Sequence, residues 1–137
     1  MEIRVELEMG EAMRRLSTMP RRLSDALMEG AEDATTLALR EMRIYPRQRP
    51  SSARVPYRRT NTLERSWFRQ VRRTSNGVVG EVLSNGQIAP YNIWVQHAGY
   101  QAAVHVGVWH TDAQVAERIQ PQVVEMFERR IQIAANG

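Results

Sequence analysis

A chain of 137 residues with 42% hydrophobic and 25% charged content has the makeup of one soluble globular domain, not of a disordered segment. It contains no cysteine, which excludes disulfides, thiol catalysis and zinc sites built on thiolates. The formal net charge is +4 and all 19 basic residues are arginine; no run approaches the roughly 18 apolar residues that cross a bilayer, so neither a membrane span nor a secretory leader is expected.

Residues 2–8 alternate strictly, with Ile3, Val5 and Leu7 on one face and charges on the other, which predicts a half-buried strand. Gly10 breaks that pattern, and a short helical segment with Ala12, Met13 and Leu16 is expected to end near Ser17 and Thr18. Pro20 suits the first position of a new helix. From there Leu23, Leu27, Ala31, Ala34, Leu37, Ala38 and Met42 recur at spacings of three and four. That period predicts a long amphipathic helix, ended by Pro46.

The charge is concentrated in the middle. Residues 40–73 hold eleven arginines against two acids, a net of +9, between mildly acidic ends. So many like charges cannot enter a core unpaired, so they are expected to meet water, acidic surfaces or phosphate. Inside this window, residues 46–59 carry prolines and no apolar period, which predicts a long, extended, arginine-rich loop. Arg47, Arg49, Arg54, Arg58 and Arg59 are its candidate contact residues.

A short capped helix is expected next, with Thr60 or Asn61 as N-cap and Glu64 as its reciprocal partner. Trp67, Arg69, Val71 and Arg73 then fall on one face of a strand, with Phe68 and Gln70 on the other. Asn76-Gly77 signals a hairpin turn and residues 78–83 a return strand. The stretch Tyr91 to Gln96 is compatible with helix or strand, and the β-branched run Val104 to Trp109 reads as a strand. Thr111 or Asp112 is expected to cap a C-terminal helix carrying Val115, Ile119, Val123, Met126, Phe127 and Ile133. Pro121 should kink or restart it. The expected class is therefore α+β: a long N-terminal helix and a C-terminal helix packed on a small, mainly antiparallel sheet, in a single domain spanning 1–137. Of the three tryptophans, Trp67 and Trp94 are expected in the core, and Trp109 is left between core and interface.

Catalytic signatures are absent: no phosphate-binding glycine loop, no nucleophile elbow, no paired zinc histidines. His97, His105 and His110 lie near Asp112 in sequence, but their spacing matches no metal motif, so no metal, cofactor or enzymatic activity is expected. Two readings of the arginines stay open. Guanidinium groups can neutralise phosphates while Tyr45, Tyr57, Trp67 and Phe68 stack on bases, as a nucleic-acid-binding module would require. Alternatively they can serve protein contacts in an oligomer.

The segment Thr60-Asn61-Thr62-Leu63-Glu64-Arg65-Ser66-Trp67, followed by Pro90-Tyr91-Asn92-Ile93-Trp94-Val95-Gln96-His97-Ala98-Gly99, resembles the tail-component family of long-tailed bacteriophages, which includes tail-completion and head–tail joining proteins. The order of parts agrees over about residues 10 to 134. The resemblance implies a non-catalytic structural protein of the virion, assembled in the host cytoplasm. It implies a ring in the neck, commonly of six copies, between head-connector and tail-tube or tail-terminator proteins; the charge and prolines of the 47–59 loop make it the candidate element to reach a neighbouring subunit, the tail or DNA in the lumen. Thr60, Asn61, Leu63, Ser66, Trp67, Tyr91, Val95 and Gly99 occupy the motif positions. Asn61 stands where relatives have glycine, and Gln96 where they have an acid, so an ion pair made there becomes at most a hydrogen bond.

Overall fold

The structure, a computed structural model, describes residues 3–7, 21–46, 61–74 and 77–136, the first of these segments by its backbone alone. Its architecture is α+β. In chain order the elements are strand β1 (Ile3–Leu7), helix α1 (Arg21–Met42), short helix α2 (Thr62–Ser66), strands β2 (Trp67–Thr74) and β3 (Gly77–Ser84), short helix α3 (Asn92–Gln96), a 3-10 turn (Ala103–His105) and helix α4 (Asp112–Asn136). The sheet is fully antiparallel with order β1-β3-β2.

The two long helices follow from their apolar stripes. Leu27, Ala31, Ala34, Ala38 and Met42 of α1 meet Val115, Ile119, Val123 and Phe127 of α4, and with Trp67, Val78, Val82 and Ile93 they form the core. Small residues let the layers approach. A methyl group built on Gly30 would sit 2.7 Å from Phe127 Cδ1, and one on Gly80 would sit 2.6 Å from Thr35 Cγ2. Thr35 satisfies its hydroxyl within α1, donating to Ala31 O at 2.8 Å. The N-terminus of α4 closes with a reciprocal box: Thr111 Oγ1 accepts from Gln114 N, and Gln114 Oε1 accepts from Thr111 N.

Register assigns the faces of the sheet. Gly80 points at α1, so Val78 and Val82 do likewise, whereas Val79, Glu81 and Leu83 lie on the opposite face. In β1, the backbone register pairs Ile3 with Ser84, Val5 with Val82 and Leu7 with Gly80. Glu81, only 1% exposed, is held by Gln70 Nε2 at 3.2 Å and by Arg72 Nη2 at 3.2 Å. These two donors answer the desolvation that a lone buried carboxylate would suffer.

Three expectations need correction. Val104 to Trp109 is not a strand. Its alternation is real, but Gln101 Nε2 gathers the carbonyls of Val95, His105 and Trp109 at 2.8, 3.3 and 3.0 Å, and Gly107 turns at φ 74°, so the chain coils instead. Pro121 does not restart the last helix, which runs unbroken through it. Pro121 and Glu117 are both exposed, so the carbonyl that loses its intrahelical partner faces water. Trp94 is not a core residue: it is 54% exposed, because α3 is under two turns long and buries Asn92, Ile93, Val95 and Gln96 instead. The predicted segment around Ala12 to Leu16 lies outside the described residues.

Candidate assembly surface

Of the sequence-predicted contact residues, Arg47, Arg49, Arg54, Arg58 and Arg59 lie outside the described residues, as does Thr60. The segment's two flanks are described, and they are stitched together. Arg43 donates to Trp67 O at 2.7 Å and to Glu64 O at 3.2 Å, while Glu64 N donates to the Tyr45 hydroxyl at 2.9 Å. Of the two N-cap candidates, Thr60 lies outside the described residues and Asn61 does not form the expected capping box. Asn61 makes no side-chain cap; it takes the left-handed conformation at φ 58°, the role glycine fills elsewhere, and Tyr45 serves the Glu64 amide.

The arginines of the basic window divide. Arg43 binds backbone carbonyls, Arg72 pairs with Glu81, and Arg73 pairs with Asp25 at 2.5 Å and also reaches Ser24. Arg40 and Arg69 are exposed and make no ion pair among the described residues. The expectation that the whole window faces outward therefore holds for only part of it. Three of these side chains are satisfied by their own chain.

The motif positions also divide. The 61–67 and 90–99 segments, far apart in sequence, meet in the interior. Trp67, fully buried, donates its Nε1 proton to Gln96 Oε1 at 2.9 Å, and Gln96 Nε2 donates to Met42 O at 3.1 Å and His110 O at 3.4 Å. Beside it Ser66 Oγ donates to Leu63 O at 2.6 Å and lies 3.1 Å from Ser84 Oγ, which accepts from Asn92 Nδ2 at 2.9 Å. Leu63 and Val95 are buried, whereas Tyr91 and Gly99 face solvent. Ser66, Trp67, Leu63 and Val95 are thus residues that hold the fold; Tyr91 and Gly99 belong to the surface.

That surface is the feature the sequence reading missed. Residues 82–111 contain no Asp, Glu, Arg or Lys across 30 positions, in a chain that is 25% charged. On this stretch Ile88, Tyr91, Trp94, Tyr100, Val104 and Val106 are exposed, Val104 to 76%. They are not on a slack loop. Ala102 N donates to Trp94 O at 2.8 Å, Gln101 ties three carbonyls, and Trp94 stands edge-on to Tyr100 at 6.2 Å. Asp112 secures the segment from below, accepting from Ala98 N at 2.9 Å and from Ala113 N at 2.8 Å, with His97 Nδ1 3.0 Å from its second oxygen. Tyr45 meets Trp109 edge-on at 5.1 Å, joining the end of α1 to the same layer. Exposed aromatic groups on a stretch without Asp, Glu, Arg or Lys have the composition of an interface centre.

Elsewhere the described surface offers little chemistry. An open groove of about 500 Å³ between the start of α1 and the end of α4 is lined by Arg21, Arg22 and Arg130 together with Asp25 and Glu29, so its charges largely answer one another. Arg130 is held above the already high pKa of arginine by its hydrogen bond to Asp33, then by the attraction of that carboxylate and of Glu29. Among the described residues, no three His, Asp or Glu side chains converge as a metal would require, and no helix is long and apolar enough to cross a membrane. In comparisons with protein-family models, curated proteins and solved structures, the chain matches none.

Proposed function

We propose that this chain is a non-catalytic structural subunit of a tailed-phage neck, a tail-completion or head–tail joining component that works as a ring of copies, six being the expected number. The observation that carries the reading is the exposed Trp94–Tyr100 pair on a stretch, residues 82–111, that holds no Asp, Glu, Arg or Lys and exposes four further large apolar side chains. An assembly protein needs such a surface; a monomer leaves it exposed to water at an aggregation cost. The interior contact of Trp67 with Gln96 is a second support, because it joins the two segments through which the chain resembles the tail-component family. The arginine-rich segment supplies contacts to a neighbouring subunit, to the tail or to DNA in the lumen.

Native mass spectrometry and negative-stain electron microscopy of the purified chain test this directly. Closed rings are expected, and Trp94→Ala with Tyr100→Ala should reduce them to folded monomers, since interface anchors of this type contribute about 2 kcal/mol or more each. In an infected culture, loss of the protein should leave heads and tails unjoined. The net +9 of residues 40–73 favours one other reading, a stand-alone nucleic-acid-binding module. Tight duplex binding by an isolated monomer, falling steeply with salt, would establish that reading in place of the ring.

A further inference from the structure

Residues 97–110 lead from α3 into α4, and none of these fourteen residues is buried. The apolar burial that holds the two long helices therefore contributes little to this segment, and polar ties have to hold it instead. Most of its backbone bonds are local. Tyr100 N donates to His97 O at 3.1 Å, His105 N to Ala102 O at 2.9 Å and Trp109 N to His105 O at 3.0 Å, each closing a single turn. Such bonds shape the turns without fixing how one turn sits against the next.

Longer ties set that arrangement. At the start of the segment Ala98 N donates to Asp112 Oδ1 at 2.9 Å, and at its end His110 O accepts from Gln96 Nε2 at 3.4 Å. Gln101 serves the middle. Its Nε2 donates to Val95 O on α3, to His105 O at the 3-10 turn and to Trp109 O on the approach to α4, at 2.8, 3.3 and 3.0 Å. Two amide protons meet three acceptors, so one of these bonds is shared. We infer, resting on the assembly surface proposed above, that Gln101 is the positioning residue of that surface. Its amide keeps Tyr100, Val104 and Val106 in one arrangement beside Trp94, and without it the segment opens while the helices and the sheet stay folded. Opening exposes little further apolar surface, because Val104 is already 76% exposed and Tyr100 54%. It therefore costs much less than global unfolding. A surface that is open part of the time binds more weakly in proportion to the fraction that is ordered. Assembly then depends on Gln101 more steeply than thermal stability does.

Hydrogen–deuterium exchange of the dilute, unassembled chain, read by mass spectrometry, measures the opening, because the amides of Tyr100, Ala102, His105 and Trp109 are all hydrogen-bonded. Gln101→Met keeps the length of the side chain and removes both donors. Peptides from 97–110 should exchange about tenfold faster or more in this variant, with α1 and α4 unchanged, and rings should need about tenfold more protein to form. Equal acceleration in α1 and α4 would mean that Gln101 merely stabilises the fold. Unchanged exchange at 97–110 would mean that it holds nothing in place. Either result overturns the inference. Rings that form at the parent's concentration despite faster exchange would overturn the link to assembly and leave the ring standing. A parent chain that forms no ring at any concentration would overturn the proposed function and that link together, while exchange still decides whether Gln101 holds the segment. Should Gln101→Met fail to fold, exchange of the parent in low urea decides: amides of 97–110 should ignore the denaturant where those of α1 respond to it, and a shared response would overturn the local opening.

Discussion

Exchanging Gln96 for glutamate keeps the shape of the side chain and removes its only donor. In the parent, Gln96 is 1% exposed; its oxygen accepts from Trp67 Nε1, and its nitrogen serves Met42 O at 3.1 Å and, at a longer 3.4 Å, His110 O. In the variant both terminal atoms are acceptors when ionised, so Met42 O loses its donor and faces an anion. A buried carbonyl left without a partner costs about 1–3 kcal/mol, and the weaker His110 bond adds less, so a loss of about 2–3 kcal/mol at neutral pH is expected. At about 2.1 cal/mol/K of unfolding entropy per residue, that is a fall of roughly 7–10 °C in Tm. Burial and the facing carbonyls push the new carboxyl above the ordinary glutamate value of about 4.3. The folded variant then holds its proton more tightly than the unfolded chain does. Its deficit is therefore smallest at acid pH, where the protonated group can still donate to Met42 O, and grows as pH rises through the raised pKa. Thermal unfolding of variant and parent, followed by circular dichroism at pH 4, 5.5 and 7 and equal protein concentration, gives the gap directly. Equal melting at pH 7, or a gap that widens toward acid, would refute the role assigned to Gln96.

Three further outcomes are expected. Asn61, exposed and at φ 58°, should accept glycine with a change within about 0.5 kcal/mol, whereas Asn61→Val should cost about 1–2 kcal/mol in urea unfolding because a β-branched residue resists that conformation. Gly30→Ala gains about 1 kcal/mol of helix propensity but drives a methyl to 2.7 Å from the buried Phe127 ring; overpacking of about 1–3 kcal/mol should win, and Phe127→Leu should remove that penalty in a double-mutant cycle. Arg130→Gln should lower stability by the same amount at pH 6 and pH 9. The pKa of Arg130 is raised in the folded state, so its contribution is complete below the ordinary arginine value and fades only above it. An offset that changed between those two pH values would identify a different titrating group.

The long elements were legible because their signals are local. Leu27 to Met42 and Val115 to Phe127 repeat at helical spacing, and Ile3, Val5 and Leu7 alternate, so each stripe declares its face before any partner is known. What could not be read depends on distant neighbours. Val104 to Trp109 has the composition of a strand, yet no strand among the described residues pairs with it, and the Gln101 side chain captures carbonyls of the segment instead. Trp94 looked like core because tryptophan is apolar, but a short helix has one inward face and Ile93 occupies it. Glu81 gave no sign of burial, since its protection comes from Gln70 and Arg72 on the adjacent strand. Gln96 was flagged only as the loss of an acid; its partners at Trp67 and Met42 lie 29 and 54 residues away. The aromatic surface had a readable trace, the 30-residue absence of charge, which composition averaged over the whole chain conceals.

The clasp formed by Arg43, Tyr45, Glu64 and Trp67 fixes the points where the proline- and arginine-rich segment leaves and rejoins the body. The two anchors are thus set by the fold and not by what lies between them. Doubling the length between the anchors adds only about 0.6 kcal/mol of closure entropy. The body can therefore accept a connection of another length or charge between these anchors without retuning its interior.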